Sequence, residues 1–363
     1  MVALSNSAAE MSSTGRSSAQ ALQDRSLDLN ANLQPLFDVI NGPVAWEIFH
    51  CALELKFFDA LVQPTPATEL AKRLTLDPGT CEHTLQALVG LGFVDLENGL
   101  YCMRPQYVGY LVSDTDRSLN EVIRYLARRS HRGLDSLRDA LVSGTTRVQQ
   151  AEFSIKQIEW SEACAEIAIY QKALGIHWAH TVLSKLEDFV TCRHLLDLSG
   201  GPGLCGIYLA EQRSDLQVTL FELPKTIEFA KGYVEAKGLA DRVRLIAGDY
   251  NRDVIGSSYD IVWASMCFYF AEPDLEALLA RLYHCVKPGG LIVSFHEGID
   301  ASSLGEPQFI RRFMPSLWNA QKLFEKREVS QALRSSGFEI EEHRQVETAI
   351  GPMMIDIGRR PLD

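Results

Sequence analysis

The sequence lacks three features, and each absence excludes a class of protein. It contains no uncharged apolar run of about 18 residues, so no segment is expected to span a bilayer as a helix. Positive charge is in the minority, with 35 Lys and Arg against 47 Asp and Glu and a formal net charge of -12. The negative electrostatic field that this charge produces repels the phosphate backbones of nucleic acids. None of the eight cysteines lies in a C-x-x-C pair, so neither a zinc site nor a redox dithiol is expected.

These absences favour a soluble protein that acts on a small molecule. The chain has 363 residues, which suffices for two domains and a tail. Its composition, 46% hydrophobic and 23% charged, is typical of a globular protein. The scattered cysteines are interpreted as buried thiols of a reducing compartment, so a cytoplasmic location is predicted.

Residues 1–30 are predicted to form a disordered tail. They are rich in Ser, Ala, Gln and Asn and lack the continuous apolar stretch of a secretory signal. A transit peptide is the alternative, because Arg16 and Arg25 lie among serines, but the acidic residues of the tail count against it.

Residues 31–118 are predicted to form a winged-helix domain. Apolar residues recur at helical spacing over 33–61 and are interrupted by Gly42-Pro43, which predicts two helices. Thr68 can then cap a short helix, and a turn at 77–79 leads into a second helix. Two short strands, 93–96 and 100–103, flank an Asn-Gly pair suited to a tight hairpin.

The remainder of the chain is predicted to be an α/β domain preceded by connecting helices. Two long amphipathic helices are expected within 119–186, where they would cover a cleft. From 187 to 363, short buried-strand runs alternate with helical stretches, the pattern of a doubly wound parallel sheet built from βαβ units. The predicted fold class is therefore α/β and Rossmann-like, with an N-terminal winged helix.

A glycine-rich loop and two acidic residues mark the expected cofactor site. The strand ending at Leu198 runs into the sequence SGGPG and then a helix, so bare backbone lies at a helix N-terminus. Glu222 ends the next strand, where a carboxylate can accept both hydroxyls of a ribose. Asp249 and Tyr250 end the third strand and suit an adenine amino group and ring face. The glycine loop alone would fit NAD or tight packing as well.

With these motifs in place, the chain resembles the winged-helix class of small-molecule O-methyltransferases, which includes plant caffeate and hydroxyindole enzymes. The resemblance covers roughly residues 33–360 and lies in the motifs LDLSGGPG, FELP, DRVRLIAGDY and VKPGG. It implies a class I methyltransferase domain that uses S-adenosylmethionine (SAM). It also implies a homodimer formed through the N-terminal domains, with a small-molecule acceptor and no nucleic acid or membrane partner.

The chain departs from that family at the residue that removes the proton of the acceptor. Most members end the fourth strand in Leu-His-Asp-Trp, whose His is the base, whereas this chain reads WASMCFYFAEPD, with Tyr269 at the His position. The Glu that commonly orients that His falls at His296 or Glu297.

The missing histidine favours an acceptor that carries no proton, such as a thioether. A thioether sulfur becomes a sulfonium cation on methylation, and electron-rich ring faces stabilise a cation by roughly 0.5–2 kcal/mol each. Among relatives without the histidine, the chain resembles the S-methyltransferases of 4-methylthio-2-hydroxybutyrate in dimethylsulfoniopropionate synthesis. Bacteriochlorophyll ring C-methyltransferases also carry a Tyr in this region, so Tyr269 leaves the acceptor open.

The predicted site residues fall into three groups. The catalytic candidates are Tyr269, His296 and His177. The SAM-binding candidates are Asp197, Ser199, Gly200, Gly201, Gly203, Glu222, Leu223, Asp249, Tyr250 and Ser265. The acceptor-binding candidates are Trp178, Phe270, Arg311, Met314 and Trp318, with an arginine expected for a substrate carboxylate. No metal site is expected, because His177 and His180 have no evident third ligand.

Three alternatives remain open at this point. The first is O-methylation of a phenolic or polyketide-like acceptor, with His296, His177 or Glu297 as a relocated base. The second is a SAM-binding protein that is non-catalytic or assists a pericyclic reaction. The third is a winged-helix regulator, which the negative charge disfavours.

Overall fold

A computed structural model of the chain describes residues 18–115, 117–124, 141–142, 160–300 and 324–362. The chain divides into two compact units, Met1–Val112 and Ser113–Asp363. The division lies close to the predicted end of the winged-helix domain at residue 118. Three predicted acceptor residues, Arg311, Met314 and Trp318, lie outside the described residues.

The N-terminal unit begins with one long helix rather than two. Helix α1 (Ser18–Glu54) runs through Pro35 and Pro43, so the predicted break at Gly42-Pro43 is wrong. A proline removes one helical N–H and leaves one carbonyl without its partner. This stretch is exposed, with Val39 76% accessible, so water can satisfy that carbonyl. The helix also includes residues 18–30, which were expected to belong to the tail.

The rest of this unit has the predicted winged-helix order. The chain leaves α1 where Lys56 adopts a left-handed φ of 61°. Asp77 caps α4 (Pro78–Gly90) by accepting a hydrogen bond from the Thr80 N–H at 2.8 Å. In α3 (Ala67–Leu74) the N-cap is Pro66 and not Thr68. The elements are α2 (Phe57–Ala60), α3 (Ala67–Leu74), α4 (Pro78–Gly90), β1 (Val94–Glu97), β2 (Leu100–Met103) and α5 (Pro105–Leu111).

The wing is the tight hairpin that the Asn-Gly pair predicts. Strands β1 and β2 pair antiparallel, with Glu97 opposite Leu100. The two residues between them, Asn98 and Gly99, have φ values of 51° and 78°. Positive φ at both central positions is the geometry of a two-residue type I′ turn.

In the second unit, the described residues form a seven-stranded sheet with helices between the strands. Its order is β5-β4-β3-β6-β7-β9-β8. The strands are β3 (His194–Leu198), β4 (Gln217–Glu222), β5 (Val243–Ala247), β6 (Tyr259–Ser265), β7 (Val286–His296), β8 (Glu339–Val346) and β9 (Met353–Arg359). The helices are α6 (Trp160–Tyr170), α7 (Ile176–Leu183), α8 (Glu187–Thr191), α9 (Leu204–Gln212), α10 (Pro224–Ala236), α11 (Leu275–Cys285) and α12 (Glu328–Ser335).

Strand order reverses at β3, which pairs in parallel with both β4 and β6. In a doubly wound sheet, the crevice at the carboxyl ends of the strands beside such a reversal is the usual ligand site. Strands β8 and β9 continue the sheet antiparallel beyond β7.

Both faces of this sheet are covered, as a parallel sheet requires. Neighbouring residues Leu195 and Leu196 belong to the cores on opposite faces and are fully buried. Six of the eight cysteines are buried thiols, as expected, but Cys51 is exposed and Cys102 only half-buried. None of the helices among the described residues has the length and apolarity needed to cross a membrane.

Candidate active site

The loop after β3 is held in an unusual backbone conformation. Ser199, Gly201 and Gly203 have φ values of 53°, 59° and 76°, all in the left-handed region. Glycine adopts this region freely, whereas for Ser199 it costs energy and is typical of functional loops. Gly203 is also the N-cap of α9, so the loop lies at a helix N-terminus.

The loop has no space for side chains at its glycines. A Cβ built on Gly200 would lie 2.7 Å from the carboxylate of Asp197, and one on Gly203 would lie 2.5 Å from Leu220 Cδ1. Asp197 is 2% exposed, and its Oδ2 accepts a hydrogen bond from the Gly206 N–H at 3.0 Å. Burial raises the pKa of Asp197 to about 7. Asp197 therefore stabilises the loop through its contact with Gly200 and its hydrogen bond to Gly206 in α9.

Glu222 joins the end of β4 to the same loop. Its Oε2 accepts hydrogen bonds from the Gly201 N–H at 2.9 Å and the Ser199 hydroxyl at 3.2 Å. Its Oε1 accepts from the Leu223 N–H at 2.7 Å. Burial raises the pKa of Glu222, while these hydrogen bonds act to lower it. Four predicted residues are thus brought together: Ser199, Gly201, Glu222 and Leu223.

Asp249 and Tyr250 follow β5 but differ in accessibility. The Asp249 side chain is one-third exposed, and its Oδ1 accepts from the Asn251 N–H at 2.9 Å. Tyr250 is only 7% exposed and belongs to the core, and its hydroxyl donates to the Cys267 carbonyl at 2.7 Å. Burial raises its pKa. Its burial and this hydrogen bond favour a structural role for Tyr250 over the predicted contact with adenine.

A further loop contact comes from Gln171, which the sequence analysis missed. Its Nε2 donates to the Gly200 carbonyl at 2.7 Å, and its Oε1 accepts from the Leu204 N–H at 3.0 Å. A single glutamine within an apolar helix gives no distinctive signal in the sequence.

The carboxyl ends of β6 and β7 carry the candidate acceptor residues. β6 ends at half-buried Ser265, and the next residue, Met266, has a left-handed φ of 53°. A short 3₁₀ helix, Phe268–Phe270, then places the Tyr269 hydroxyl where it donates a hydrogen bond to Glu297 Oε2. Glu297 is 2% exposed.

Aromatic rings surround this tyrosine and carboxylate. The Tyr269 ring stacks on Phe324 with centroids 5.3 Å apart and meets the edge of His296 at 5.4 Å. Phe270, on the same short helix, is half-buried. Aromatic rings therefore lie beside the Tyr269 hydroxyl at this edge of the sheet, and one of them, Phe324, was not predicted.

His296 is a structural residue in this arrangement rather than a base. Its Nε2 accepts hydrogen bonds from the N–H groups of Cys267 at 3.0 Å and Phe268 at 3.1 Å. Nδ1 therefore carries the proton and donates to the Ser294 hydroxyl at 2.8 Å. Because protonation of Nε2 would break two buried backbone hydrogen bonds, this geometry favours a structural role for His296 over the predicted catalytic one.

The other two candidates from the connecting helices lie on α7. His177 is exposed. Trp178 is half-buried and packs against Phe295 of β7, with ring centroids 5.6 Å apart. Trp178 thus reaches the strand that leads to Glu297.

Comparison with known proteins identifies the chemistry of this fold. Residues 149–317 match the family model described as the O-methyltransferase domain. The N,N-dimethyltransferase OxyT of Streptomyces rimosus is 23% identical over 312 residues, covering 84% of this chain and 90% of that protein. Acetylserotonin O-methyltransferase of Mus musculus is 26% identical over 295 residues, covering 76% and 74%.

A solved structure extends the likeness to the whole fold. Human N-acetylserotonin methyltransferase in complex with SAM superposes with a TM-score of 0.65 at 20% identity, covering 96% of this chain and 99% of that one. This chain is a SAM-dependent methyltransferase. The methyltransferase thus has the expected class I α/β fold with its N-terminal winged helix, and it acts on small molecules.

The residues at the loop fit SAM. Gly200 and Gly203 keep bare backbone in the loop, because a Cβ there would clash with Asp197 and Leu220. Glu222 supplies buried carboxylate oxygens, and Asp249 a partly exposed carboxylate. These are suitable partners for the hydroxyl and amino groups of a nucleoside.

Proposed function

We propose that SAM binds against the glycine loop and that the acceptor lies beside Tyr269 and Glu297. Ser199, Gly200, Gly201, Gly203 and Glu222 would hold the cofactor from the ends of β3 and β4. Asp249, Leu223 and Ser265 complete this proposed site, with Asp197 supporting it. The proposal is supported by the position of both clusters at the carboxyl edge of one sheet, beside its strand-order reversal.

We propose a thioether sulfur as the acceptor atom, with 4-methylthio-2-hydroxybutyrate as the leading candidate substrate. When bound, SAM supplies an electrophilic methyl group. The observation that carries this choice is that His296 Nε2, a candidate base at this edge of the sheet, already accepts two backbone hydrogen bonds. A thioether needs no base, and orientation can supply much of the rate.

The same residues would stabilise the cationic product. Glu297 is a buried carboxyl, and the rings of Tyr269 and Phe324 stack beside it. A cation gains roughly 0.5–2 kcal/mol from each favourable ring face, and a carboxylate adds direct attraction. Trp178 and Phe270 would line the acceptor space. The other sequence candidates, Arg311, Met314 and Trp318, lie outside the described residues.

O-methylation of a phenolic acceptor is the second candidate, and the Tyr269 to Glu297 hydrogen bond also favours it. A phenol must lose a proton. That proton would pass to the Tyr269 oxygen while the Tyr269 proton passes to Glu297, so that the carboxylate ends protonated. The O-methyltransferase activity named for the acetylserotonin relative fits this class.

Product analysis separates the two candidates. The methyltransferase is incubated with SAM and either 4-methylthio-2-hydroxybutyrate or a phenolic acceptor such as N-acetylserotonin, and the products are identified by mass spectrometry. A sulfonium product supports the thioether proposal. A methyl ether alone overturns it in favour of O-methylation, and no S-adenosylhomocysteine with any acceptor overturns both and favours a non-catalytic or pericyclic role.

The variant Tyr269→Phe tests the mechanism, with the exposed Tyr110→Phe as control. In base-free transfer to sulfur, Tyr269→Phe should change kcat by less than about tenfold, and the rate should stay flat from about pH 6 to 9. In O-methylation through the relay it should lower kcat by about 10²- to 10⁴-fold. Tyr110→Phe should leave either rate unchanged.

We also propose that the methyltransferase is a homodimer formed through its N-terminal unit. Helix α1 exposes apolar residues at helical spacing, namely Leu33, Leu36, Phe37, Ile40 and Val44, each 40–59% accessible. A contiguous exposed apolar surface of this kind marks an association site. Ile40→Glu should yield a monomer in light scattering, whereas the control Val254→Glu, at an 85% exposed position outside α1, should not. A dimeric Ile40→Glu protein would contradict the proposal.

A further inference from the structure

Gln171 begins a five-residue π-helix, Gln171–Gly175, inserted between α6 and α7. Short π-helical segments inside α-helices are rare and occur frequently at functional sites. Here the insertion coincides with the two hydrogen bonds that Gln171 makes to the glycine loop, to the Gly200 carbonyl at 2.7 Å and from the Leu204 N–H at 3.0 Å. One side chain thereby bridges both ends of the segment 200–204.

Other close contacts surround this bridge. A Cβ built on Gly201 would lie 3.2 Å from Ile167 Cγ2 and 3.9 Å from Gln171 Nε2, so α6 lies directly against the loop backbone. One turn beyond Gln171, a Cβ on Gly175 would lie 3.4 Å from Cys205 Sγ. The helical segment therefore contacts the glycine loop through Ile167 and Gln171, and the start of α9 through Gly175.

We propose that Gln171 is a positioning residue for SAM, which sets the conformation of the loop from Ser199 to Leu204. Its amide does this by holding the Gly200 carbonyl and the Leu204 N–H at fixed separation. The proposal rests on the placement of SAM at this loop and deepens it.

The same helical segment extends to the acceptor side. α7 carries Trp178, which packs on Phe295 of β7, one residue before His296 and two before Glu297. Displacement of Gln171 would therefore disturb both the cofactor loop and the helix that reaches the acceptor edge. Loss of the bridge is expected to raise the Kd for SAM and also to lower kcat.

Two substitutions test the hydrogen bonds rather than the bulk of the side chain. Gln171→Met keeps the length and removes both polar atoms. Gln171→Glu keeps both polar atoms, but its ionised carboxylate has no proton for the Gly200 carbonyl. When protonated, the introduced carboxyl again offers one donor and one acceptor, as the amide does. Its effect should therefore depend on pH.

The experiment measures the Kd of SAM by calorimetry at pH 5 and pH 8 for the full-length chain. We expect Gln171→Met, which removes both hydrogen bonds, to raise Kd about tenfold relative to wild type at both pH values. Gln171→Glu should raise it about tenfold at pH 8 and less than about fivefold at pH 5, where part of the introduced carboxyl is protonated. The control Gln212→Met, at an exposed glutamine ending α9, should match wild type.

Because each variant is compared with wild type at the same pH, titration of Asp197 and Glu222 cancels. A Kd for Gln171→Met within twofold of wild type would overturn the proposal, as would a Gln171→Glu ratio that is equal at both pH values. If Gln171→Met does not fold, the Gln171→Glu comparison decides alone. Failure of wild type to bind SAM, or wild-type binding by Glu222→Gln, would instead refute the placement of SAM at this loop.

Discussion

Asparagine at position 197 should make the protein more stable at alkaline pH. Asp197 is 2% exposed, and burial raises its pKa from 3.8 to about 7. The folded protein therefore holds this proton more tightly than the unfolded chain does. Stability from this group is present below about pH 4 and is lost as pH rises through about 7, because ionising a buried carboxyl disfavours the folded state.

The size of the effect follows from the pKa difference. The interval from 3.8 to about 7, at about 1.36 kcal/mol per pH unit, gives an upper bound of roughly 4 kcal/mol. Asparagine cannot ionise, and its amide oxygen can still accept the Gly206 N–H that Asp197 binds at 3.0 Å. Between pH 5 and pH 8 only the part of this interval from 5 to about 7 is titrated, so the free energy of unfolding of Asp197→Asn relative to wild type should rise by up to about 2.7 kcal/mol from pH 5 to pH 8.

Urea denaturation without SAM at both pH values measures this difference. Unfolding is monitored by tryptophan fluorescence, to which buried Trp263 on the neighbouring strand β6 contributes. Asp241→Asn, at an exposed position, serves as the control and should give the same small change at pH 5 and pH 8. An Asp197→Asn effect that is equal at the two pH values would refute the assignment of a buried, high-pKa carboxyl beneath the loop.

Two further substitutions address the backbone around the site. Gly203→Ala should lower the free energy of unfolding by roughly 2–4 kcal/mol, because φ is 76° and the new Cβ would lie 2.5 Å from Leu220 Cδ1; a loss below about 1 kcal/mol in urea denaturation would contradict this geometry. His296→Leu should cost roughly 2–5 kcal/mol of stability by leaving the Cys267 and Phe268 N–H groups without an acceptor. The residual activity of His296→Leu should keep the wild-type pH profile, and a profile that loses a titration near neutral pH would show instead that His296 is a base.

The sequence allowed prediction of features that depend on local chemistry. The Asn98-Gly99 turn and the glycine loop 199–203 each require particular residue types at fixed spacing, and the structure has both, whereas the turn predicted at 77–79 is replaced by an Asp77 N-cap and a helix that begins at Pro78. Glu222 was also predicted, because an acid at the end of a second parallel strand must lie beside the loop after the first.

The features that escaped prediction depend on partners distant in the chain. The tautomer of His296 is set by the N–H groups of Cys267 and Phe268. The hydroxyl of buried Tyr250 donates to the carbonyl of Cys267, a partner that is distant in the sequence. Gln171 lies about thirty residues before the loop that it binds. The break expected at Pro43 did not occur because its cost depends on solvent exposure of the helix, which the local pattern does not reveal.

The placement of SAM is tested most directly by calorimetric titration of wild type, Glu222→Gln and the exposed control Glu228→Gln with SAM at pH 7.5. Glu222 accepts three hydrogen bonds and is 7% exposed, and loss of a charge-assisted hydrogen bond costs roughly 1.5–3 kcal/mol. We expect wild type and Glu228→Gln to bind alike and Glu222→Gln to bind about 10- to 100-fold more weakly. Equal affinities for all three proteins, or no heat of binding with wild type, would contradict a cofactor site at this loop.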